Sequence, residues 1–131
     1  MATESGGGAS GTTSPVSWVR RAETTPFSPA PGIEVRPVIG GSLMTCWIDF
    51  APGAEVPVHS HINEQLGVVI EGSITITVGN EERRLEVGDA YVVAPDIPHR
   101  AVAGPNGVVL VETFVPVRED YRRAWEEASR G

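Results

Sequence analysis

Residues 53–72 read GAEVPVHSHINEQLGVVIEG and place two of the chain's three histidines, His59 and His61, one residue apart. Alternate side chains of a β-strand point to the same face, so both imidazoles can converge on one point. Gln65 follows after a short turn, and its amide oxygen is an acceptor that can bind a cation. The third histidine, His99, stands at the start of a later predicted strand, directly before residues 100–103. Taken alone, two histidines on a strand are more often surface polar groups than metal ligands.

A second segment, residues 88–99, reads GDAYVVAPDIPH and ends on the third histidine. Together with residues 53–72 it resembles the two conserved motifs of the cupin superfamily, Gly-x5-His-x-His-x3-4-Glu-x6-Gly and Gly-x5-Pro-x-Gly-x2-His-x3-Asn. The resemblance implies an all-β fold, the double-stranded β-helix or jelly-roll barrel. It also implies a single divalent transition metal, held by His59, His61, Gln65 and His99.

The chain departs from these motifs at Gln65, Ala94, Asp96 and Ala103, and only the first departure changes the chemistry. Gln65 stands where most cupins have Glu. Three neutral imidazoles and a neutral amide leave the charge of a divalent metal uncompensated, which makes a stronger Lewis acid. The same donors suit borderline metals better than Mg or Ca. We therefore expect Zn, Ni, Fe, Mn or Cu, with the choice among them left open.

Short apolar runs bounded by Gly and Pro follow one another along most of the chain, a pattern typical of a sandwich or a closed barrel. The Gly79-Asn80 pair predicts a tight hairpin between two of these runs. The predicted strands are 17–22, 33–39, 43–50, 55–59, 65–71, 73–78, 83–87, 90–93, 100–103 and 108–115.

A helix is predicted at residues 119–130, the one stretch with good helix formers. Its apolar stripe at helical spacing comprises Tyr121, Ala124, Trp125 and Ala128. We expect the stripe to pack on the outside of the barrel, with a dimer contact as the alternative.

The charge and composition of the chain limit its partners. The net charge is -7 at pH 7, which argues against nucleic acid and anionic membrane surfaces, because both attract basic patches. The one cysteine, Cys46, lies in an apolar run, and a buried core thiol is favoured over a catalytic one. Residues 1–15 are rich in Gly, Ser and Thr and show no secretory signal. We predict a disordered tail there, one cupin domain over residues 16–131, and a cytoplasmic location.

The last predicted strand places Glu112 and Phe114 two residues apart, so both face the same side. If that side is the barrel interior, a carboxylate is buried beside the metal, with Arg118 near the mouth. Glu112, Phe114 and Arg118 then resemble the carboxylic residue, Phe and Arg that line the site of KdgF-like cupins from pectin and alginate breakdown. In those proteins a metal held by three His and one Gln helps to open the ring of a 4,5-unsaturated uronate. The resemblance implies catalytic roles for Glu112 and Arg118, and substrate contacts for Phe114 and Arg118.

Plainer interpretations of these residues stay open. Arg118 could pair only with Asp120 or Glu119 at the helix start, and Phe114 could be plain core. Glu112 could lie on the outer face if the register is off by one.

Three functions are therefore compatible with the sequence. The first is a metal-assisted enzyme that acts on a small carbonyl compound or sugar acid, with a substrate carboxylate as the group that Arg118 would bind. The second is a metal-dependent dioxygenase, and the third is a non-catalytic module that binds a small ligand. Because small cupins commonly pair sheet edges, the resemblance also implies a homodimer.

Overall fold

Antiparallel strands form most of the fold. The computed structural model describes residues 15–131, so the predicted tail, apart from Pro15, lies outside the described residues. The strands are β1 (Phe27–Ala30), β2 (Ile33–Ile39), β3 (Met44–Phe50), β4 (Glu55–His59), β5 (Glu64–Val78), β6 (Glu81–Glu86), β7 (Ala90–Val93) and β8 (His99–Val115). A 3-10 turn (Arg21–Glu23) precedes them, and helix α1 (Glu119–Arg130) follows. The predicted all-β fold with a short C-terminal helix is confirmed.

The strands form two facing sheets. The two longest strands, β5 and β8, contribute one half to each sheet. The first half of β5 pairs with β7 and with the second half of β8, which continues to β3, β2 and β1. The second half of β5 pairs with β6 and with the first half of β8, which continues to β4. Sharing these strands closes the sheets into a jelly-roll barrel.

The two long strands bend where one sheet gives way to the other, β5 at Gly72 and β8 at Gly107. We predicted a break in each strand near these glycines, and that prediction is wrong, since both strands run through. The φ angles of the two glycines are 76° and 78°, which glycine adopts without steric cost. The pairing of β5 with β8 shifts register around Gly72 and then resumes, as it does at a β-bulge.

The close approach of the two bends makes Gly72 sensitive to substitution. A Cβ at Gly72 would lie 2.9 Å from both the carbonyl carbon of Gly107 and the Cα of Val108, which are backbone atoms. Gly72→Ala should therefore lower the free energy of unfolding by about 2–4 kcal/mol, from backbone strain and overpacking together. Urea unfolding measures the loss.

Gly79→Ala is the control for that measurement. Gly79 also has a positive φ, 60°, but no atom lies within 4 Å of its added Cβ. It should lose only the conformational part, about 1–2 kcal/mol. Equal losses in the two variants would contradict the steric role of the bend.

The inner faces of the strands form the apolar core. Burial alternates residue by residue along β3, so one face is core and the other is partly exposed. The most deeply buried side chains, at most 1% exposed, include Val35, Met44, Cys46, Val69 and Ile74. Burial raises the pKa of the Cys46 thiol, as expected for the predicted core thiol.

Helix α1 packs against β1 and β2. Tyr121, Trp125 and Ala128 lie against the core as predicted, whereas Ala124 is exposed. The rings of Tyr121 and Phe27 meet edge to face with their centroids 5.1 Å apart. Within residues 15–131, no helix has both the length and the apolar character that a membrane crossing requires.

The strand predicted at 17–22 is wrong. That segment is irregular up to the 3-10 turn, and the guanidinium of Arg21 lies 3.0 Å from the carboxylate of Asp49. The first strand is β1 instead. Its sequence did not predict a strand, because it contains Pro29. Proline is tolerated there because β1 is an edge strand, and Pro29 is not one of the residues paired with β2.

Candidate metal centre

The three histidines meet at one end of the barrel. His59 is the last residue of β4 and His99 is the first of β8, and the two are paired across the ladder. His61 follows in the turn before β5. One ring nitrogen from each imidazole lies within 4.8 Å of the other two. The structure thus brings together the three side chains that the sequence motifs singled out.

Backbone carbonyls fix the orientation of each imidazole. In all three histidines Nδ1 lies 2.8–3.1 Å from a carbonyl oxygen two residues away. A carbonyl only accepts, so a neutral ring donates from Nδ1 and keeps a lone pair on Nε2. Burial lowers the pKa of both His61 and His99. These two shifts favour the neutral form of His61 and His99, which is the form that a metal ligand requires.

Gln65, the second residue of β5, directs an amide oxygen at this cluster. Its Nε2 donates a hydrogen bond of 2.8 Å to Glu112. Its Oε1 is therefore turned the other way and lies 3.0 Å from Nε2 of His61. A neutral His61 has one N–H and cannot donate to both the Asn63 carbonyl and Oε1 of Gln65. When Nδ1 donates to Asn63, both of the facing atoms offer lone pairs. Two acceptors at this distance repel each other unless a cation binds them both.

His99 gives an independent reason to expect a cation. Its Nε2 is buried and has no hydrogen-bond partner among residues 15–131. A buried polar atom is costly to leave unpaired, and ligation would pair this one. Three imidazole nitrogens and one amide oxygen suit a borderline divalent transition metal. The histidine cluster thus indicates a metal ion without identifying it.

Glu112 lies directly behind Gln65 on the inner face of β8 and is 7% exposed, so the outer-face alternative is excluded. Its Oε2 accepts two hydrogen bonds, one from Gln65 and one from the hydroxyl of Tyr91. Burial raises the pKa of Glu112 to about 7, while the Gln65 hydrogen bond and the positive charge of Arg118 limit the rise.

Arg118 immediately precedes α1 and is 8% exposed. Its guanidinium carbon lies 5.1 Å from the ring centroid of Phe114 and 3.7 Å from that of Tyr121. Its Nε and Nη2 donate to Asp120 at 3.2 and 2.8 Å. Burial alone would lower the pKa of Arg118, but the hydrogen bond to Asp120 and the charge interactions with Tyr121, Asp120 and Glu112 together outweigh it, and the pKa is raised.

The pairing of Arg118 with Asp120, which the sequence left open, is thus present. It occupies one edge of the guanidinium, and Nη1 has no hydrogen-bond partner within the described ranges. The charged group lies over the rings of Phe114 and Tyr121, with a second edge left to bind an anion.

Phe114 is fully buried at 0% exposed. Its ring meets those of His61 and Tyr121 at centroid distances of 5.8 and 5.7 Å. Phe114 is therefore a core residue, which is one of the interpretations that the sequence left open. Its ring also packs against the imidazole of His61. Its role as a substrate contact stays a prediction.

One cavity connects the metal centre with the acid and the guanidinium. Apolar core side chains form much of its wall. Its polar lining consists of His59, Gln65, His99, Glu112, Arg118, Tyr91 and Tyr121. The first five are residues that the sequence predicted for the site.

Sequence reasoning missed two residues that hold the site together. Tyr91 hydrogen-bonds to Glu112 from β7, and no motif marks it. Asn63, 4% exposed, donates from Nδ2 to the carbonyl of Pro116 at 2.6 Å, while its own carbonyl accepts from His61. An asparagine in the turn after His61 was visible in the sequence, but its partner lies 53 residues away.

A barrel with a three-histidine cluster at one end is the arrangement that the resemblance to the cupin motifs implies. Residues 46–113 match the family model described as the cupin domain, and the chain belongs to that family.

The chain is most informatively compared with proteins that carry the name KdgF. It is 38% identical to the pectin degradation protein KdgF of Dickeya dadantii (strain 3937) over 80 residues, 60% of this chain and 73% of that protein. The structure of KdgF from a Halomonas species is 31% identical, with a TM-score of 0.73 over 78% of this chain and 96% of that one. An RmlC-like cupin from Shewanella frigidimarina is 34% identical, with a TM-score of 0.71 over 76% and 90% of the two chains. The predicted resemblance to KdgF-like cupins is confirmed.

Proposed function

We propose that this cupin is a metal-assisted enzyme that opens the ring of a small unsaturated sugar acid, a 4,5-unsaturated uronate. The observation that carries the proposal is the shared cavity, which is lined by three of the four expected metal ligands together with Glu112 and Arg118. The similarity to KdgF of Dickeya dadantii, a pectin degradation protein, supports the same class of substrate.

His59, His61, Gln65 and His99 would hold the metal. When bound, a divalent transition metal supplies Lewis acidity that polarises a hydroxyl or carbonyl oxygen. We propose Zn, Ni, Fe, Mn or Cu, because imidazole and amide donors suit these metals.

Glu112 provides a carboxyl group for proton transfer. Its Oε2 accepts hydrogen bonds from both Gln65 and Tyr91, so Oε1 is the oxygen left to exchange a proton with a substrate in the cavity. General acid–base catalysis requires such a group within hydrogen-bond reach of the reacting atoms.

Arg118 provides a site for the substrate carboxylate. The guanidinium lies over the rings of Phe114 and Tyr121, and Asp120 occupies one edge. The other edge can bind a carboxylate with charge-assisted hydrogen bonds.

Arg118→Ala should raise KM for the uronate by about 10- to 100-fold, the effect of losing hydrogen bonds to a charged group. Its effect on kcat should be smaller, because the guanidinium binds a group that does not react. Steady-state kinetics separates the two constants. Arg118→Lys is the matched control, since it keeps the charge but loses the planar fork, and KM should lie in between. An unchanged KM in Arg118→Ala would contradict this role.

The test of the proposed function follows the absorbance of the 4,5-unsaturated uronate with metal-loaded protein and with protein treated with a chelator. Galacturonate-derived and mannuronate-derived substrates are both used. Faster loss with the loaded protein alone supports the proposal. No acceleration with either substrate overturns it. In that case oxygen uptake would indicate the dioxygenase alternative, and saturable binding without turnover would indicate a binding module.

A further inference from the structure

Three residues lie side by side in one row across the inner face of the barrel. In the ladder, Gly67 of β5 is paired with Tyr91 of β7 on one side and with Glu112 of β8 on the other. The glycine between the two larger side chains is buried. The row therefore has a gap at its centre, at the strand that also carries Gln65.

The ring of Tyr91 fills that gap. A Cβ on Gly67 would lie 2.6 Å from Cε1 of Tyr91 and closer still to Cζ and the hydroxyl oxygen. The backbone of Gly67 does not require glycine, because its φ is outside the positive range. The missing side chain is thus what lets the ring cross β5 and reach β8.

The hydroxyl of Tyr91 meets the carboxyl oxygen that Gln65 also uses. Oε2 of Glu112 accepts from Tyr91 and, at 2.8 Å, from Nε2 of Gln65. With two donors on one oxygen, the carboxyl group cannot rotate without losing both hydrogen bonds. The Gln65 amide is then held in the orientation that presents Oε1 to the histidines.

We propose that Tyr91 is a positioning residue for the metal centre, and that Gly67 is the vacant position that admits its ring. Tyr91 acts through Glu112 on the orientation of Gln65, and its hydroxyl has no hydrogen bond to a histidine within the described residues. The proposal rests on the proposed function only in taking Gln65 as a ligand.

The principal test is Tyr91→Phe, which removes the hydroxyl and keeps the ring. Zn2+ affinity, measured by competition with a chromophoric chelator, should fall by about 3- to 10-fold, the effect of one lost hydrogen bond. Gln65 is the only glutamine in the chain. Selective 15N labelling of glutamine therefore isolates its side-chain amide, whose NMR signal should shift in metal-free Tyr91→Phe.

Thr45→Val is the matched control. It also removes one hydroxyl, which lies 3.0 Å from the hydroxyl of Thr113 across the β3–β8 pair. Thr45 alternates with the buried Met44 and Cys46, so it lies on the outer face. Neither the Zn2+ affinity nor the Gln65 signal should change in this variant.

Gly67→Ala tests the second half of the proposal. With Tyr91 present, the added methyl should displace the ring and reproduce the affinity loss of Tyr91→Phe. In a Tyr91→Ala background the ring is gone, and the same methyl should cost nothing further. This non-additivity is expected only if the two positions act through one contact.

Unchanged affinity and an unchanged Gln65 signal in Tyr91→Phe would overturn the proposal, as would equal changes in Thr45→Val. A wild-type protein that binds Zn2+ but does not open uronates would refute the proposed function and leave this inference standing. If the wild-type protein binds no Zn2+, the Gln65 signal alone decides: a shift in Tyr91→Phe supports the positioning role, and no shift overturns it.

Discussion

Glu112→Gln should lower kcat for uronate opening by about 100- to 10,000-fold, the usual contribution of a general acid or base. The amide has nearly the same shape and keeps an oxygen that can accept from Gln65 and Tyr91. The metal centre should therefore stay intact, whereas the proton-carrying function is lost. Steady-state kinetics on protein of verified metal content measures the effect.

Glu112→Asp is the companion variant. It keeps a carboxyl group and shortens the side chain by one methylene, so it should retain more activity than Glu112→Gln. A kcat for Glu112→Gln within about twofold of wild type would remove Glu112 from the mechanism. A parallel loss of metal would show instead that the carboxylate serves only to hold Gln65.

His99→Ala should weaken metal binding by more than about 100-fold, since changes outside the ligand set already cost 10- to 100-fold. His99 is 6% exposed and its Nε2 has no other partner in the described part of the chain. Elemental analysis after dialysis and a chelator competition measure the loss, and uronate opening should disappear with it.

Arg100→Ala is the control for His99→Ala. Arg100 is the next residue of β8, and its guanidinium forms an ion pair with Glu55 of β4 at 2.9 Å on the surface. Removing it disturbs the same strand pair without touching the centre, so metal content should be kept. Full metal content in His99→Ala would contradict its assignment as a ligand.

The residues of the candidate metal centre could be predicted because they lie in the two segments that resemble the cupin motifs. His59 and His61 share a face by strand alternation, and the motif spacing supplies Gln65 and His99. Glu112 followed from its spacing to Phe114, and the structure places it inside the barrel. The shared faces need only the identity of each element and its side-chain period, whereas Gln65 and His99 needed the resemblance to the cupin motifs.

The remaining features depend on contacts between distant parts of the chain. The partners of Tyr91 and Asn63 lie 21 and 53 residues away, and no local pattern encodes such a distance. The predictions that strands end near Gly72 and Gly107 were wrong for the same reason. A glycine favours a turn locally, but strand pairing before and after each glycine continues the strand through the bend.

The bends at Gly72 and Gly107 have a consequence for how the barrel opens. β5 and β8 form one long antiparallel ribbon, in which Gln65 pairs near one end and His99 at the other. Because the ribbon bends at its middle, its two ends lie next to each other. A metal bound at the centre would then act as a cross-link between the two ends of the ribbon. Like other cross-links, it would restrict partly opened states of the chain. Metal binding and closure of the barrel at this end would therefore be coupled. Loss of the metal should favour opening of the ribbon ends, and opening should weaken metal binding.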